Sequence, residues 1–75
     1  MRKNAVVQAR EHVLKGRTIV ARQRALIERI RAARRDPQEA EDLLLSFEST
    51  LRIFEDDLQR LEGGQVAARG STPLA

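Results

Sequence analysis

The chain has no cysteine, tryptophan or tyrosine, and only two phenylalanines and two prolines among 75 residues. Without cysteine there is no disulfide framework and no thiolate-ligated zinc. With so few aromatic rings there is no platform on which nucleic-acid bases would stack. Long apolar runs are missing as well. The longest are Ala5-Val6-Val7, Ile19-Val20-Ala21, Ala25-Leu26-Ile27 and Leu43-Leu44-Leu45, too short for a membrane span or a signal-peptide core. These absences point to a cytoplasmic protein with no membrane association. The first 35 residues are Arg-rich and acid-poor, as in a transit peptide, but they lack serine and run on into a matching second half, so they read as part of the fold.

Apolar material is scarce too: 41% of residues are hydrophobic with alanine included, against 33% charged. A single domain this small, with no disulfide or metal, sits below the size at which one core comfortably outweighs chain entropy. It needs a partner, and a second copy of itself is the simplest one.

One strong break precedes the end of the chain. In Asp36-Pro37-Gln38-Glu39, Asp36 suits a helix N-cap, Pro37 the first helical position, and Glu39 the return bond of a capping box. The chain has no other proline before residue 73, and none of its glycines lies between Pro37 and Glu62. The expected elements are therefore a helix over about 2–35, a corner at 35–36 and a helix over about 37–62. Gly63-Gly64 supplies the stop, and 63–75 reads as a flexible tail.

Apolar periodicity makes the pair an antiparallel hairpin. Val6, Val13, Val20 and Ile27 recur every seven residues, with Ala9, Gly16, Gln23 and Ile30 three residues after each. These are the a and d positions of a heptad. In the second segment Leu44, Leu51 and Leu58 form one row, and Ala40, Phe47, Phe54 and Leu61 the other. Gly16 in mid-helix makes room for Phe54 or Leu58, or marks a hinge, and Gln23 sets an amide among Val20, Ile27 and Leu51, where a polar group can specify register.

Charge specifies that register. Residues 1–35 hold eleven basic and two acidic side chains, residues 36–62 two basic and nine acidic. Arg10, Arg17, Arg24 and Arg31 occupy the e row of the first helix; Glu41, Glu48, Glu55 and Glu62 occupy the e row of the second. In an antiparallel pair e flanks e. Arg31 with Glu41, Arg24 with Glu48, Arg17 with Glu55 and Arg10 with Glu62 are each centred on Asp36. The same sorting opposes homotypic pairing of either helix, because arginine would meet arginine and glutamate glutamate.

Further apolar residues lie outside this seam. Ile19, Leu26 and Leu43 hold g positions, and Val7, Leu14, Leu45 and Ile53 lie further round. A stripe this wide packs against more than one neighbour, which makes Leu14, Ile19, Leu26, Leu43 and Ile53 the candidate interaction surface. A homodimeric four-helix bundle covers it; an unidentified protein partner is the competing occupant.

Chemistry is scarce by comparison. His12 is the only histidine and has no second ligand at metal spacing. Glu55-Asp56-Asp57 lacks the alternating oxygens and glycine turn of a calcium loop, and no phosphate loop or nucleophile motif occurs. The expectation is a non-enzymatic interaction or regulatory protein with no cofactor, metal or small-molecule substrate. The alternative is nucleic-acid association. Lys15, Arg22 and Arg29 form an unmatched c row on a first helix of net charge +9, which can contact phosphates. The lack of stacking aromatics, and of a short recognition helix set at an angle, argues for a solvated face instead.

The stretch Glu11-His12-Val13-Leu14-Lys15-Gly16-Arg17 through Ile19-Val20-Ala21-Arg22-Gln23-Arg24-Ala25-Leu26-Ile27, then Ala40-Glu41-Asp42-Leu43-Leu44 and Phe47-Glu48-Ser49-Thr50-Leu51, resembles a group of short alphaproteobacterial proteins, rhizobia among them, of no established function. The likeness runs from Ala9 to Leu61. It implies a bacterial cytoplasmic helical hairpin and no particular activity. Those proteins often have Gly-x-Asp at the corner, where this chain has Arg34-Arg35-Asp36.

Overall fold

A computed structural model describes residues 4–68. Two helices, α1 (Ala5–Ala32) and α2 (Gln38–Ala68), pack against each other as an antiparallel hairpin. The described residues contain no strand.

α1 starts at Ala5, later than the expected start near residue 2, because Asn4 caps it. Asn4 is extended (φ −81°, ψ 171°), and its Oδ1 accepts from the Val7 N–H at 2.8 Å. The bond satisfies one of the amides that lack a partner in a first helical turn. The sequence signal was an asparagine immediately before Ala5-Val6-Val7.

The connection is wider than the expected one- or two-residue corner at 35–36. α1 ends at Ala32, and residues 33–37 lead to α2. The chain leaves α1 by a Schellman turn: the Arg34 N–H donates to the Arg31 carbonyl at 2.9 Å, and the Arg35 N–H to the Ile30 carbonyl at 3.0 Å. This motif needs a left-handed residue at its centre, and Arg34 fills that position with φ 60°. Proline then disfavours a helical conformation at Asp36, so the helix cannot resume before Pro37. Here an arginine side chain bears the steric cost of the left-handed backbone.

At the start of α2, Asp36 Oδ1 accepts from the Gln38 N–H at 3.0 Å, and the Pro37 carbonyl accepts from the Glu41 N–H at 2.8 Å. Asp36 thus caps as expected, but Glu39 does not complete a capping box. At the other end, helix α2 does not stop at Glu62. It runs through Gly63 and Gly64 to Ala68, so the tail expected over 63–75 begins no earlier than residue 69. Neither glycine takes the positive φ that a glycine stop requires, and Ala67 and Ala68 behind them favour helix. Residues 69–75 lie outside the described residues.

The seam follows the heptads. Val6, Ala9, Val13, Gly16, Val20, Gln23 and Ile27 of α1 are buried, with Ile30 half-buried. On α2, among residues 38–64, only Ala40 is buried; Leu44, Phe47, Leu51, Phe54, Leu58 and Leu61 are all half-buried. The difference is one of size. Small α1 residues disappear beneath large α2 side chains, whose outer edges then overhang the seam.

Replacing Arg34 by glycine relieves the left-handed strain, though glycine also loses more backbone entropy on folding. We expect Arg34→Gly to raise stability to urea by roughly 1 kcal/mol. An Arg34→Gly midpoint at or below that of the parent chain would show that the turn carries no such strain.

Candidate interaction surface

The two flanks of the seam differ in kind. On the e–e flank all four expected ion pairs form: Arg10–Glu62 at 3.1 Å, Arg17–Glu55 at 3.3 Å, Arg24–Glu48 at 2.8 Å and Arg31–Glu41 at 2.5 Å. In the first two, the arginine Nε and Nη2 both donate to one carboxylate oxygen. Arg31 also holds Glu28 at 3.1 Å. The arginine side chains remain more than half exposed, so each pair contributes only about 0.2–1 kcal/mol, and less as salt rises. Their shared effect is to select one register and to leave this flank with its charges matched.

Two interior features reinforce the register. Gln23, 8% exposed, donates from Nε2 to the Ala40 carbonyl at 2.8 Å. A buried amide without a partner costs more than the bond it loses, so sliding α2 past Gln23 is opposed. Small Ala40 admits the side chain. The bond therefore ties Gln23 to the first turn of α2, whereas the sequence placed its amide near Leu51. Gly16 is the second feature. A Cβ there would lie 3.0 Å from Leu51 Cδ1 and 3.7 Å from Phe54 Cδ2, so the glycine lets these two side chains approach the α1 backbone. Leu58, the other expected neighbour, is not among the near atoms.

The g–g flank has an open apolar groove of about 400 Å³. His12, Lys15, Gly16 and Ile19 line it from α1, and Phe47, Thr50, Leu51 and Phe54 from α2. The His12 and Phe54 rings are 5.1 Å apart, inclined at 34°. Both phenylalanines of the chain therefore contribute to one groove. Sequence reasoning had assigned Gly16, Phe47, Leu51 and Phe54 to the seam alone. The available signal was the size imbalance between the helices: valine, alanine and glycine on α1 cannot cover leucine and phenylalanine on α2.

Of the five residues expected to form the interaction surface, three belong to this flank. Ile19 lines the groove and is 45% exposed, Leu43 is 50% exposed, and Leu26 is half-buried. Neither of the other two lines the groove. Leu14 lines two hollows, one on the ladder side with Arg10, Val13, Arg17 and Leu58 and a shallow one with Lys15, Thr18, Ile19 and Arg22, and Ile53 sits with Asp56, Gln59 and Arg60. The c-row cations Lys15, Arg22 and Arg29 are exposed and, among the described residues, form no ion pair. Lys15 and Arg22 border Ile19 in a shallow hollow, so the basic row rims the apolar flank. Among the described residues no group of three potential metal ligands gathers, and no helix is long and apolar enough to cross a membrane.

The ladder predicts energetic coupling. Arg24→Glu should lower stability and Glu48→Arg, added to it, should recover part of the loss, with a coupling of about 0.5–1 kcal/mol that shrinks in 1 M salt. Additive effects in a denaturation cycle would show the pair to be without influence. No protein-family model, curated protein or solved structure matches this chain.

Proposed function

We propose that this chain is a non-enzymatic interaction module that docks another helical surface against its g–g flank. The observation that carries this reading is the asymmetry of the hairpin. One flank has its charges matched by four ion pairs, while the other leaves Ile19 and Leu43 about half exposed around a groove whose floor is apolar. Exposed aliphatic side chains grouped with half-buried aromatics gain from burial at about 25 cal/mol per Å² of apolar area. Two-helix hairpins also bury too little apolar surface to be robust alone. Helices are the natural occupants, because a groove between two antiparallel helices accepts a third and a fourth at bundle spacing.

Ile19→Gln with Leu43→Gln should keep the helical circular dichroism and reduce association, with itself or with a captured chain, at least tenfold in sedimentation and nuclease-treated pull-down experiments. Equal association of parent and variant, or none by either at 100 μM, refutes the reading.

A second reading rests on Lys15, Arg22 and Arg29, exposed and without ion pairs among the described residues. A cationic row along one helix binds phosphates with steep salt dependence. On this reading a mobility shift with duplex DNA or RNA occurs at low salt and disappears when the three are changed to glutamine; no shift at low salt removes it.

A further inference from the structure

We propose that the occupant of the g–g flank is a helix of another protein, with an apolar stripe bordered on its α1 side by a row of aspartate or glutamate. The inference rests on the docking role of this flank and adds the chemistry of the partner.

α1 carries two basic rows of one pitch. Round the helix its positions run e, a, d, g, c. Arg10, Arg17, Arg24 and Arg31 stand at one edge of this band and Lys15, Arg22 and Arg29 at the other, and the rows between them hold no Lys, Arg, Asp or Glu within α1. α2 lies on the a and d rows and answers the first edge with Glu62, Glu55, Glu48 and Glu41, at 2.5–3.3 Å. That edge shows which kind of helix docks beside a basic row of α1: one with a carboxylate every seven residues. The second edge repeats the design without the answer. Its three cations are exposed and, among the described residues, form no ion pair. The apolar groove lies beside them: Lys15 lines it, and Ile19 belongs both to the groove and to the hollow bordered by Lys15 and Arg22. A helix seated over Ile19, Phe47 and Phe54 therefore has the c row along its flank.

The opposite rim makes no such demand. On α2 it is the c row Glu39, Ser46, Ile53 and Arg60, one acid, one base and two uncharged side chains. The carboxylates of the occupant therefore belong on its α1 side alone. The same composition tells against a second copy. If α1 of a second copy lay along the c row, cations would meet cations. If its α2 lay there, the rim would bring one carboxylate, Glu39, together with the like charge of Arg60, and the g-row Asp57 already holds Arg60 at 3.3 Å. Like charges pressed together where water is excluded oppose association, and the cost grows as the dielectric falls. An acidic row on a foreign helix removes that cost, and opposite charge also speeds the encounter.

The probe is a fluorescent synthetic helix of four heptads with leucine at a and d and glutamate at e and g, whose like charges oppose its self-association; its twin has lysine in place of glutamate. Either helix is about 42 Å long and outreaches the roughly 21 Å from Lys15 to Arg29 at 1.5 Å per residue. By anisotropy with the full chain, the glutamate helix should bind at least tenfold tighter than the lysine helix. Lys15→Glu with Arg22→Glu and Arg29→Glu should reverse that preference. These side chains lie outside the ladder, so helical circular dichroism should be unchanged. Ile19→Gln/Leu43→Gln should weaken binding of the glutamate helix at least tenfold. Equal affinity of the parent chain for both helices, or a preference untouched by the triple change, overturns the acidic partner. Binding that survives Ile19→Gln/Leu43→Gln overturns it as well, because the row then acts as a polyanion site apart from the groove. No binding of either helix at 500 μM also overturns it; if the chain then associates with itself and Ile19→Gln/Leu43→Gln abolishes that association, the docking role of the flank survives.

Discussion

The antiparallel register of α1 on α2 is the constraint on which the rest of the hairpin depends. It is held by contacts of three kinds: the arginine–glutamate ladder on one flank, the Gln23 amide on the Ala40 carbonyl, and the approach of Leu51 and Phe54 to Gly16. None is strong alone, since exposed pairs and single hydrogen bonds each contribute on the order of 1 kcal/mol. They agree on one alignment, however, and a slip in either direction breaks all three together. Consistency among weak terms opens a gap between one arrangement and its competitors.

From that register follows the division of the molecule into unlike flanks. The ladder draws the e-row charges of both helices to one side. Their absence from the other side leaves the g row, in which Ile19, Leu26 and Leu43 stand. The same alignment sets the small residues of α1 under the large ones of α2, so that the phenylalanines are only half covered. Matched charge on one flank and incomplete burial on the other are two results of a single alignment. The proposed docking role uses the flank where burial is incomplete.

The corner shows where local backbone chemistry outweighs pattern. A heptad extended to Arg35 predicts a longer α1 and a tighter bend, but Arg34 is left-handed, and the helix resumes only at Pro37, with Asp36 as its cap. At the far end the reverse occurs: a glycine pair suggests a stop, yet α2 continues through it. Glycine permits a left-handed turn without compelling one. Asn4 caps α1 by the same chemistry as Asp36 caps α2, but without an adjacent proline its signal is weaker.

The all-α class, the antiparallel pairing, the register and the identity of all four ion pairs follow from the order of residues alone. Each depends on periodicity and charge sign, which repeat along a helix and can be counted from residue numbers. Packing of the two helices decides how completely each seam residue is covered, where the Gln23 amide finds its acceptor, that Arg34 takes the left-handed position, and that Ile19 joins Phe47 and Phe54 in one groove that Leu14 and Ile53 do not line. Heptad position gives a side chain's direction but not the size of what it meets, and coverage depends on both together.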